Sequence, residues 1–195
     1  MIKRLFDIVC AALGLLLLTP LLVAAALWVK LDSPGPALFR QTRVGRHGVP
    51  FTIHKFRTMR VAPGAAITVG ADPRITRAGR WLRASKLDEL PQLWDVLRGV
   101  MSLVGPRPEL PHYVVLYPAD LREQVLAVRP GITDPASLAF SQEAALLAEA
   151  ADPEREYREV ILPAKLKLSA AYAAKASLLT DLRVILRTLV RVVRS

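Results

Sequence analysis

The sequence predicts a mostly α-helical protein with one small β-hairpin, arranged as a membrane helix, a compact α/β domain and amphipathic helices. Three patterns support this fold class. Residues 8–29 contain no charge, and a run of about 22 apolar residues is long enough to cross a bilayer core of roughly 30 Å. Strand-forming residues flank a glycine turn between residues 37 and 56. Much of the remaining chain has apolar residues at helical spacing.

The 195 residues suffice for one compact domain and are too few for two. We expect three segments: residues 1–36 with the membrane helix and its turn, a central domain over 37–177, and a C-terminal helix over 178–195. The net charge of +10 indicates an anionic partner, which could be phospholipid, nucleotide phosphate or nucleic acid. The single cysteine, Cys10, cannot form an internal disulfide.

The apolar run allows two membrane topologies. Basic residues lie on both of its flanks: Lys3 and Arg4 before it, and Lys30, Arg40, Arg43 and Arg46 after it. Because basic residues mark the cytoplasmic side, both flanks favour one face of the membrane. Pro20 predicts a bend, and the Thr19 hydroxyl can bind a carbonyl freed there. A re-entrant helix fits both facts, and a kinked spanning helix is the alternative. The run is too long for a typical cleaved signal peptide.

Turn and strand signals follow the apolar run. The cluster at residues 32–36 ends the helix. Residues 37–41 and 51–56 form the predicted hairpin, and residues 61–72 a loop. A short helix is expected over 75–83.

The next predicted element is an amphipathic helix over residues 89–98. Leu90, Leu93, Trp94 and Leu97 share one of its faces, and Gly99 follows its end. A loop is then expected over residues 100–111. Further helical stretches are predicted at 118–127, 137–150 and 153–175.

Residues 178–194 form a basic amphipathic helix. Arg183, Arg187 and Arg191 recur every fourth residue, and leucines cover another side. Such a helix can lie in the membrane interface with its arginines on lipid headgroups. The alternative is a helix packed on the core, with a solvated arginine stripe.

Adjacent carboxylates, Asp88 and Glu89, are the main catalytic candidates. Pro91 is tolerated only in a first helical turn, which places Asp88 at or beside an N-cap. The helix dipole there keeps a carboxylate ionised and favours a nearby phosphate. An ionised aspartate can attack phosphorus, and two carboxylates can hold Mg²⁺. The alternative is a plain helix cap.

Five basic residues are candidate phosphate ligands. Arg107 stands between two prolines that restrict its backbone, and its planar fork suits phosphate oxygens. Arg129 precedes a Pro-Gly turn whose amides could form an anion nest. Lys55, Arg57 and Arg74 supply further positive charge. The alternative for Arg107 is a structural turn with a surface arginine, and for the others a solvated or lipid-facing charge.

Several site classes lack support. His47, His54 and His112 show no metal-ligand spacing, and no cysteine pair suggests zinc. The sequence contains no Walker A loop, GxGxxG or GxSxG motif.

Together these motifs resemble the monotopic phosphoglycosyl transferases, the bacterial sugar transferase family. The matching segments are residues 3–7, 32–36, 41–45, 55–59, 72–76, 87–93, 102–108 and 129–133. The short length resembles the small single-domain members.

The resemblance implies a re-entrant helix in the inner leaflet, broken at Thr19-Pro20, on the cytoplasmic face of the bacterial inner membrane. It implies that Asp88 attacks the sugar-bearing phosphate of a UDP-sugar and releases UMP. Polyprenyl (undecaprenyl) phosphate then attacks the phospho-enzyme. Mg²⁺ is the expected cofactor, supported by Glu89, and Arg107 is expected to bind phosphate. Residues 134–138 depart from the Gly-Trp-Ala-Gln of many relatives, which affects expected nucleotide and sugar contacts.

Two other functions compete with this one. A membrane-tethered scaffold of a glycan assembly pathway would keep the anchor and basic surface without turnover. A nucleic-acid binder would use the +10 charge, but the chain lacks the aromatic interleaving and groove-reading motifs of such proteins. We therefore expect phospholipid and substrate phosphates as partners, not nucleic acid, and leave a homodimer open.

Overall fold

The computed structural model describes residues 2–60, 69 and 72–194, and it has the predicted mostly helical architecture. The helices of the first half are α1 (Ile2–Asp32), α2 (Arg77–Ala84), α3 (Gln92–Arg98), α4 (Pro111–Val114) and α5 (Ala119–Leu126). Those of the second half are α6 (Pro135–Ala139), α7 (Glu143–Glu149), α8 (Pro153–Glu156), α9 (Leu162–Ala174) and α10 (Leu178–Arg194). The strands are β1 (Leu38–Val44), β2 (Pro50–Phe56), β3 (Ser102–Val104) and β4 (Gly131–Thr133).

Helix α1 is long and apolar enough to cross a membrane, judged by length and composition, and it is the one such helix in the part of the chain described. Its buried residues, Asp7, Ala11, Ala25 and Val29, form a single stripe along the helix. Small residues dominate this stripe, so the body of the protein approaches the helix closely. The other faces expose leucines, including Leu17 at 74 %.

Both ends of α1 are attached to the same folded body. Near its start, the Arg4 guanidinium donates to the carbonyl of Val96 in α3, at 2.7 Å. Asp7 accepts a 2.8 Å hydrogen bond from the Ser102 hydroxyl of β3. At the other end, Asp32 accepts from a backbone amide in the first turn of α2. Both ends of the helix therefore contact the same folded body.

The helical backbone of α1 continues through Pro20. Thr19 Oγ1 donates to the Leu15 carbonyl at 2.6 Å. The carbonyl that Pro20 deprives of its amide partner is that of Leu16, so the hydroxyl bonds one carbonyl earlier than the one freed. The bend at Thr19-Pro20 stays a prediction, and it would be a bend within a continuous helix.

The predicted β-hairpin is confirmed. Strands β1 and β2 pair antiparallel from Leu38 opposite Phe56 to Val44 opposite Pro50. A 3₁₀ turn, Arg46–Gly48, joins them. The second pairing, parallel β3 with β4, was not predicted. Residues 100–111 are therefore not all loop, and Gly131 begins a strand instead of forming the expected anion-binding turn.

The helix predicted over 89–98 begins later, at Gln92. A 3₁₀ turn, Leu87–Glu89, precedes it, and the Leu90 amide bonds to the Leu87 carbonyl three residues back. Asp88 thus lies in this turn and not at the α3 N-cap, which is Pro91. Trp94 was expected on the buried face but is 52 % exposed.

Other helix predictions differ from the structure mainly in continuity. The helices expected at 75–83, 118–127 and 178–194 are confirmed within a few residues, as α2, α5 and α10. The stretch expected at 137–150 is two helices, α6 and α7. The stretch at 153–175 is α8, a π-helical segment (Tyr157–Ile161) and α9 in succession. The loop predicted at 61–72 lies almost wholly outside the described residues.

Helix α10 packs through a small inward face and leaves its leucines outside. Asp181 and Val184 are buried, whereas Leu182, Leu186 and Leu189 are 45–63 % exposed. Asp181 forms an ion pair with Lys3 of α1 and accepts a 2.5 Å hydrogen bond from the Tyr172 hydroxyl. The leucine face of α10 is therefore not used for core packing, and the helix is joined to the start of α1.

Candidate active site

The site is built on the short turn between α2 and α3. Lys86 links this turn to α2 in a left-handed backbone conformation, with φ of 57°. The next three residues form the 3₁₀ turn that carries Asp88 and Glu89. Strand β2 packs against this turn, so Lys55 lies beside the two carboxylates.

Glu89 is held by two cations. Lys55 Nζ lies 2.7 Å from Glu89 Oε1. Arg107 pairs with both carboxylate oxygens: Nη2 forms a short contact with Oε1, and Nη1 lies 3.2 Å from Oε2. This forked contact between two planar groups fixes the direction of both side chains. Glu89 is thus a cation-clamped carboxylate whose two oxygens are already engaged.

Arg107 reaches Glu89 because the backbones at Gly105 and Gly131 lie so close together that neither position has room for a side chain. A Cβ on Gly131 would lie 2.0 Å from the Gly105 nitrogen, and one on Gly105 would lie 2.2 Å from the Arg129 carbonyl oxygen. The Gly131 amide donates to the Pro106 carbonyl at 3.0 Å. The parallel β3–β4 pair therefore sets the path of the proline-flanked segment that carries Arg107.

The electrostatics of the two carboxylates differ. Burial and the neighbouring Glu89 charge raise the pKa of Asp88 to about 6. Burial would also raise the pKa of Glu89, but Arg107 and Lys55 outweigh it and hold that pKa well below its usual range. Glu89 is therefore firmly ionised, and Asp88 carries a negative charge that its surroundings stabilise poorly.

Asp88 differs from Glu89 in its contacts as well. Its carboxylate makes no hydrogen bond or ion pair with any residue of the described ranges. Lys55, Arg83 and Lys86 lie close enough for their charges to act on it. An uncommitted carboxylate surrounded by cations can attack an electrophilic phosphorus whose oxygens those cations bind.

Arg83 is a site residue that the sequence interpretation missed. It lies in the last turn of α2, where its Nε donates to Thr58 Oγ1 at 2.9 Å. Burial lowers the pKa of Arg83, and the Asp88 charge opposes that effect. A signal was present, because Arg83 ends a basic helix five residues before Asp88.

Three of the five predicted phosphate ligands have partners other than Asp88 and Glu89, and so make contacts elsewhere in the protein. Arg57 is buried against the end of α1, where it donates to the Ser33 carbonyl at 2.7 Å. Arg74 pairs with Asp72 at 2.6 Å. Arg129 donates to the Gly99 carbonyl at the end of α3. The structure gathers Lys55 and Arg107 at the site, and phosphate binding by the other three stays a prediction.

Within the described residues, no three or more His, Cys, Asp or Glu side chains form a metal-binding group. Mg²⁺ needs only one or two carboxylates when substrate phosphates complete its shell. Asp88 has free oxygens for such an ion, whereas Glu89 Oε1 accepts from both Lys55 and Arg107 and Oε2 from Arg107 alone, which leaves Glu89 less acceptor capacity. The donor set therefore fits an ion that arrives with phosphate better than one bound by protein alone.

The unusual segment 134–138 forms a well-capped helix start. Asp134 is fully buried and is the N-cap of α6, accepting from the Ser137 amide at 2.7 Å. Its other oxygen accepts from the Ser169 hydroxyl of α9 at 2.9 Å. This segment joins α6 to α9, and its Asp134 charge also acts on Arg107.

Comparison with known proteins identifies the family of this chain. The sequence profile described as "Bacterial sugar transferase" matches residues 1–195. The UDP-glucose:undecaprenyl-phosphate glucose-1-phosphate transferase of Caulobacter vibrioides is 53 % identical over 136 residues, which cover 67 % of this chain and 51 % of that protein. The enzyme of the same name from Xanthomonas campestris pv. campestris is 38 % identical over 196 residues, covering 97 % of this chain and 38 % of that protein.

A third relative is the exopolysaccharide production protein PSS of Rhizobium leguminosarum bv. phaseoli. It is 53 % identical over 110 residues, covering 54 % of this chain and 55 % of that protein. The chain thus spans about half the length of some of these relatives and less of others. Since the family profile matches the chain from end to end, this protein belongs to the bacterial sugar transferase family.

Proposed function

We propose that this chain transfers a sugar-1-phosphate from a UDP-sugar to polyprenyl phosphate at the cytoplasmic face of the bacterial inner membrane, as the first membrane step of glycoconjugate or exopolysaccharide assembly. One observation carries the proposal: Asp88 has no partner among the described residues, while the adjacent Glu89 is clamped by Lys55 and Arg107. The names of the relatives supply the substrate classes.

The reaction proceeds in two displacements at one phosphorus. An Asp88 oxygen attacks the sugar-bearing phosphorus, forming a new O–P bond. The bond from that phosphorus to the bridging oxygen breaks, and UMP leaves with its electron pair. A polyprenyl phosphate oxygen then attacks the same phosphorus and displaces the Asp88 carboxylate. The products are polyprenyl-diphospho-sugar, UMP and free Asp88.

The cations around Asp88 serve this chemistry by stabilising negative charge. Phosphoryl oxygens gain charge as the bridging bond breaks, and fixed cations in a partly buried site stabilise that charge without reorganising. Arg107 keeps its fork oriented through Glu89, and Lys55 shares the same carboxylate. Asp88 and Glu89 would hold Mg²⁺, which would supply further neutralisation of phosphate charge when bound.

The attachment of α1 supports a re-entrant anchor. Its two ends lie on one folded body, through Arg4 and Asp7 at one end and Asp32 at the other. A helix spanning the bilayer would place its ends on opposite sides, which these contacts oppose. The exposed leucines of α10 and its outward arginines suit the headgroup region, where the acceptor's phosphate lies.

The test is a turnover assay with the full chain in detergent or nanodiscs. UDP-glucose and UDP-N-acetylgalactosamine are each incubated with undecaprenyl phosphate and Mg²⁺, and released UMP is measured. We expect UMP release by the wild type and at least about a thousandfold less by Asp88→Asn, because the amide is a poor nucleophile. Asp120→Asn, an exposed carboxylate on α5, is the matched control and should retain activity.

Two results would contradict the proposal. Asp88→Asn turning over at the wild-type rate would eliminate the covalent route. A wild-type chain that binds membranes but releases no UMP from any UDP-sugar would favour the scaffold alternative.

A further inference from the structure

We infer that Lys86 binds a substrate phosphate oxygen at Asp88, an inference that rests on the proposed function and adds a ligand to its site. Lys86 was not among the candidate residues predicted from the sequence. It immediately precedes the 3₁₀ turn that carries Asp88 and Glu89. Its role follows from its backbone conformation, its lack of a partner and the commitments of the other cations.

The backbone of Lys86 is in an unfavourable conformation for its residue type. Its φ is 57° and its ψ is 13°, in the left-handed region that glycine and asparagine adopt most readily. Within the described residues, His47 is the other non-glycine residue with positive φ. A residue held in such a conformation points to a local requirement that outweighs the strain. Glycine would satisfy the turn geometry, so the turn alone does not explain a lysine.

The Lys86 side chain is exposed, and its ammonium makes no hydrogen bond or ion pair with the described part of the chain. It nevertheless lies close enough for its charge to act on the Asp88 carboxylate. An exposed ammonium on the residue two positions before an uncommitted carboxylate, on the same turn, is free to bind an anion that arrives at that carboxylate.

The neighbouring cations each already make a contact within the protein. Lys55 and Arg107 hold Glu89, and Arg83 donates to Thr58 Oγ1. A diphosphate or a monoester phosphate entering the site brings more charge than these committed groups neutralise. Lys86, on a long flexible side chain with three donors, can meet that charge without breaking an existing contact.

The phosphate could belong to the UDP-sugar or to the polyprenyl phosphate, and two assays separate these sources. UMP release in a single turnover without acceptor reports on the donor. The steady-state KM for undecaprenyl phosphate, at saturating UDP-sugar, reports on the acceptor. Each assay is run on the wild type and on Lys86→Gly, Lys86→Asn and Lys86→Arg.

We expect Lys86→Gly and Lys86→Asn to lower the affinity for one of the two substrates about tenfold. This is the usual effect of losing a charge-assisted hydrogen bond. Lys86→Arg keeps the positive charge and should stay near the wild type. The melting temperature of Lys86→Gly should equal or exceed that of the wild type, because glycine adopts this conformation without strain. A loss of substrate affinity without loss of stability separates binding from a structural role.

His47→Gly is the matched control, because His47 is the other residue in the left-handed conformation and lies in the β1–β2 turn. This variant should leave the affinity for both substrates unchanged. Unchanged affinity for both substrates in Lys86→Gly and Lys86→Asn overturns the inference. So does a Lys86→Arg variant as impaired as the glycine variant. If Lys86→Gly fails to fold, Lys86→Asn decides alone. Absence of UMP release by the wild type would instead refute the proposed function.

Discussion

The ionised form of Asp88 lowers the stability of the folded protein. Its pKa is raised to about 6 by burial and by Glu89, and no described residue forms a hydrogen bond or ion pair with its carboxylate. An acid whose pKa is higher in the folded state than in the unfolded chain destabilises the fold once it ionises. This cost is absent below about pH 4, grows as the pH rises toward 6, and is constant above it.

Asp88→Asn should therefore stabilise the protein while abolishing its activity. We expect a gain of about 1–2 kcal/mol at pH 7.5 and little gain at pH 4.5. Thermal unfolding in EDTA, across this pH range, measures the difference between variant and wild type. A variant that is less stable than the wild type at pH 7.5 would show that Asp88 is a structural cap after all.

Residue types alone revealed part of the site. The carboxylate pair and the proline-flanked Arg107 were recognisable because their sequence context restricts them locally. Arg57 and Arg129 cannot be told apart from Arg107 by residue type. In the structure they donate hydrogen bonds to the carbonyls of Ser33 and Gly99, at the ends of helices. A carbonyl partner is a tertiary contact that leaves no local signal, which is why these residues could not be distinguished from Arg107.

At the scale of elements, the helices were predictable and the parallel strand pair was not. Helices α2, α5 and α10 show apolar spacing within a single segment. Strands β3 and β4 have three residues each and pair across about one seventh of the sequence, from Ser102 to Gly131, so neither has a pattern of its own. The two glycines that permit their approach resemble ordinary turn glycines in sequence.

Gly131→Ala should displace the Arg107 segment. The added Cβ would lie 2.0 Å from the Gly105 nitrogen, so the backbones must separate. We expect a loss of about 3 kcal/mol in unfolding free energy and loss of UMP release even where the variant remains folded. Denaturant unfolding and the UMP assay, both at low temperature, measure these effects.

Gly48→Ala separates this backbone clash from simple loss of glycine. Gly48 has positive φ, but a Cβ there would meet nothing within 4 Å. We expect a cost of about 1 kcal/mol and normal activity. Equal behaviour of the two variants would mean that the close β3–β4 approach does not position Arg107.

At the scale of the whole molecule, charge counting and packing support the same membrane topology for different reasons. The basic flanks of α1 favoured one side of the membrane, yet Lys3 and Arg4 bind protein groups. Arg43 likewise pairs with Glu109. The stronger argument is that both ends of the helix are attached to one body, which only the tertiary structure reveals.

The re-entrant arrangement predicts a labelling pattern. In a Cys10→Ala background, which removes the single cysteine, cysteines are placed at Ile2, Leu17 and Leu31, all highly exposed on the protein. A membrane-impermeant maleimide should label positions 2 and 31 from the cytoplasmic side alone and position 17 from neither side. Labelling of positions 2 and 31 from opposite sides would establish a spanning helix.

The most direct test of the catalytic proposal is mass spectrometry of the chain after incubation with a UDP-sugar and Mg²⁺ but no lipid acceptor. We expect a sugar-phosphate adduct on the peptide containing Asp88, formed with one equivalent of UMP, absent from Asp88→Asn and removed by added undecaprenyl phosphate. UMP released only when acceptor is present, with no adduct at any time, would contradict the covalent aspartyl mechanism.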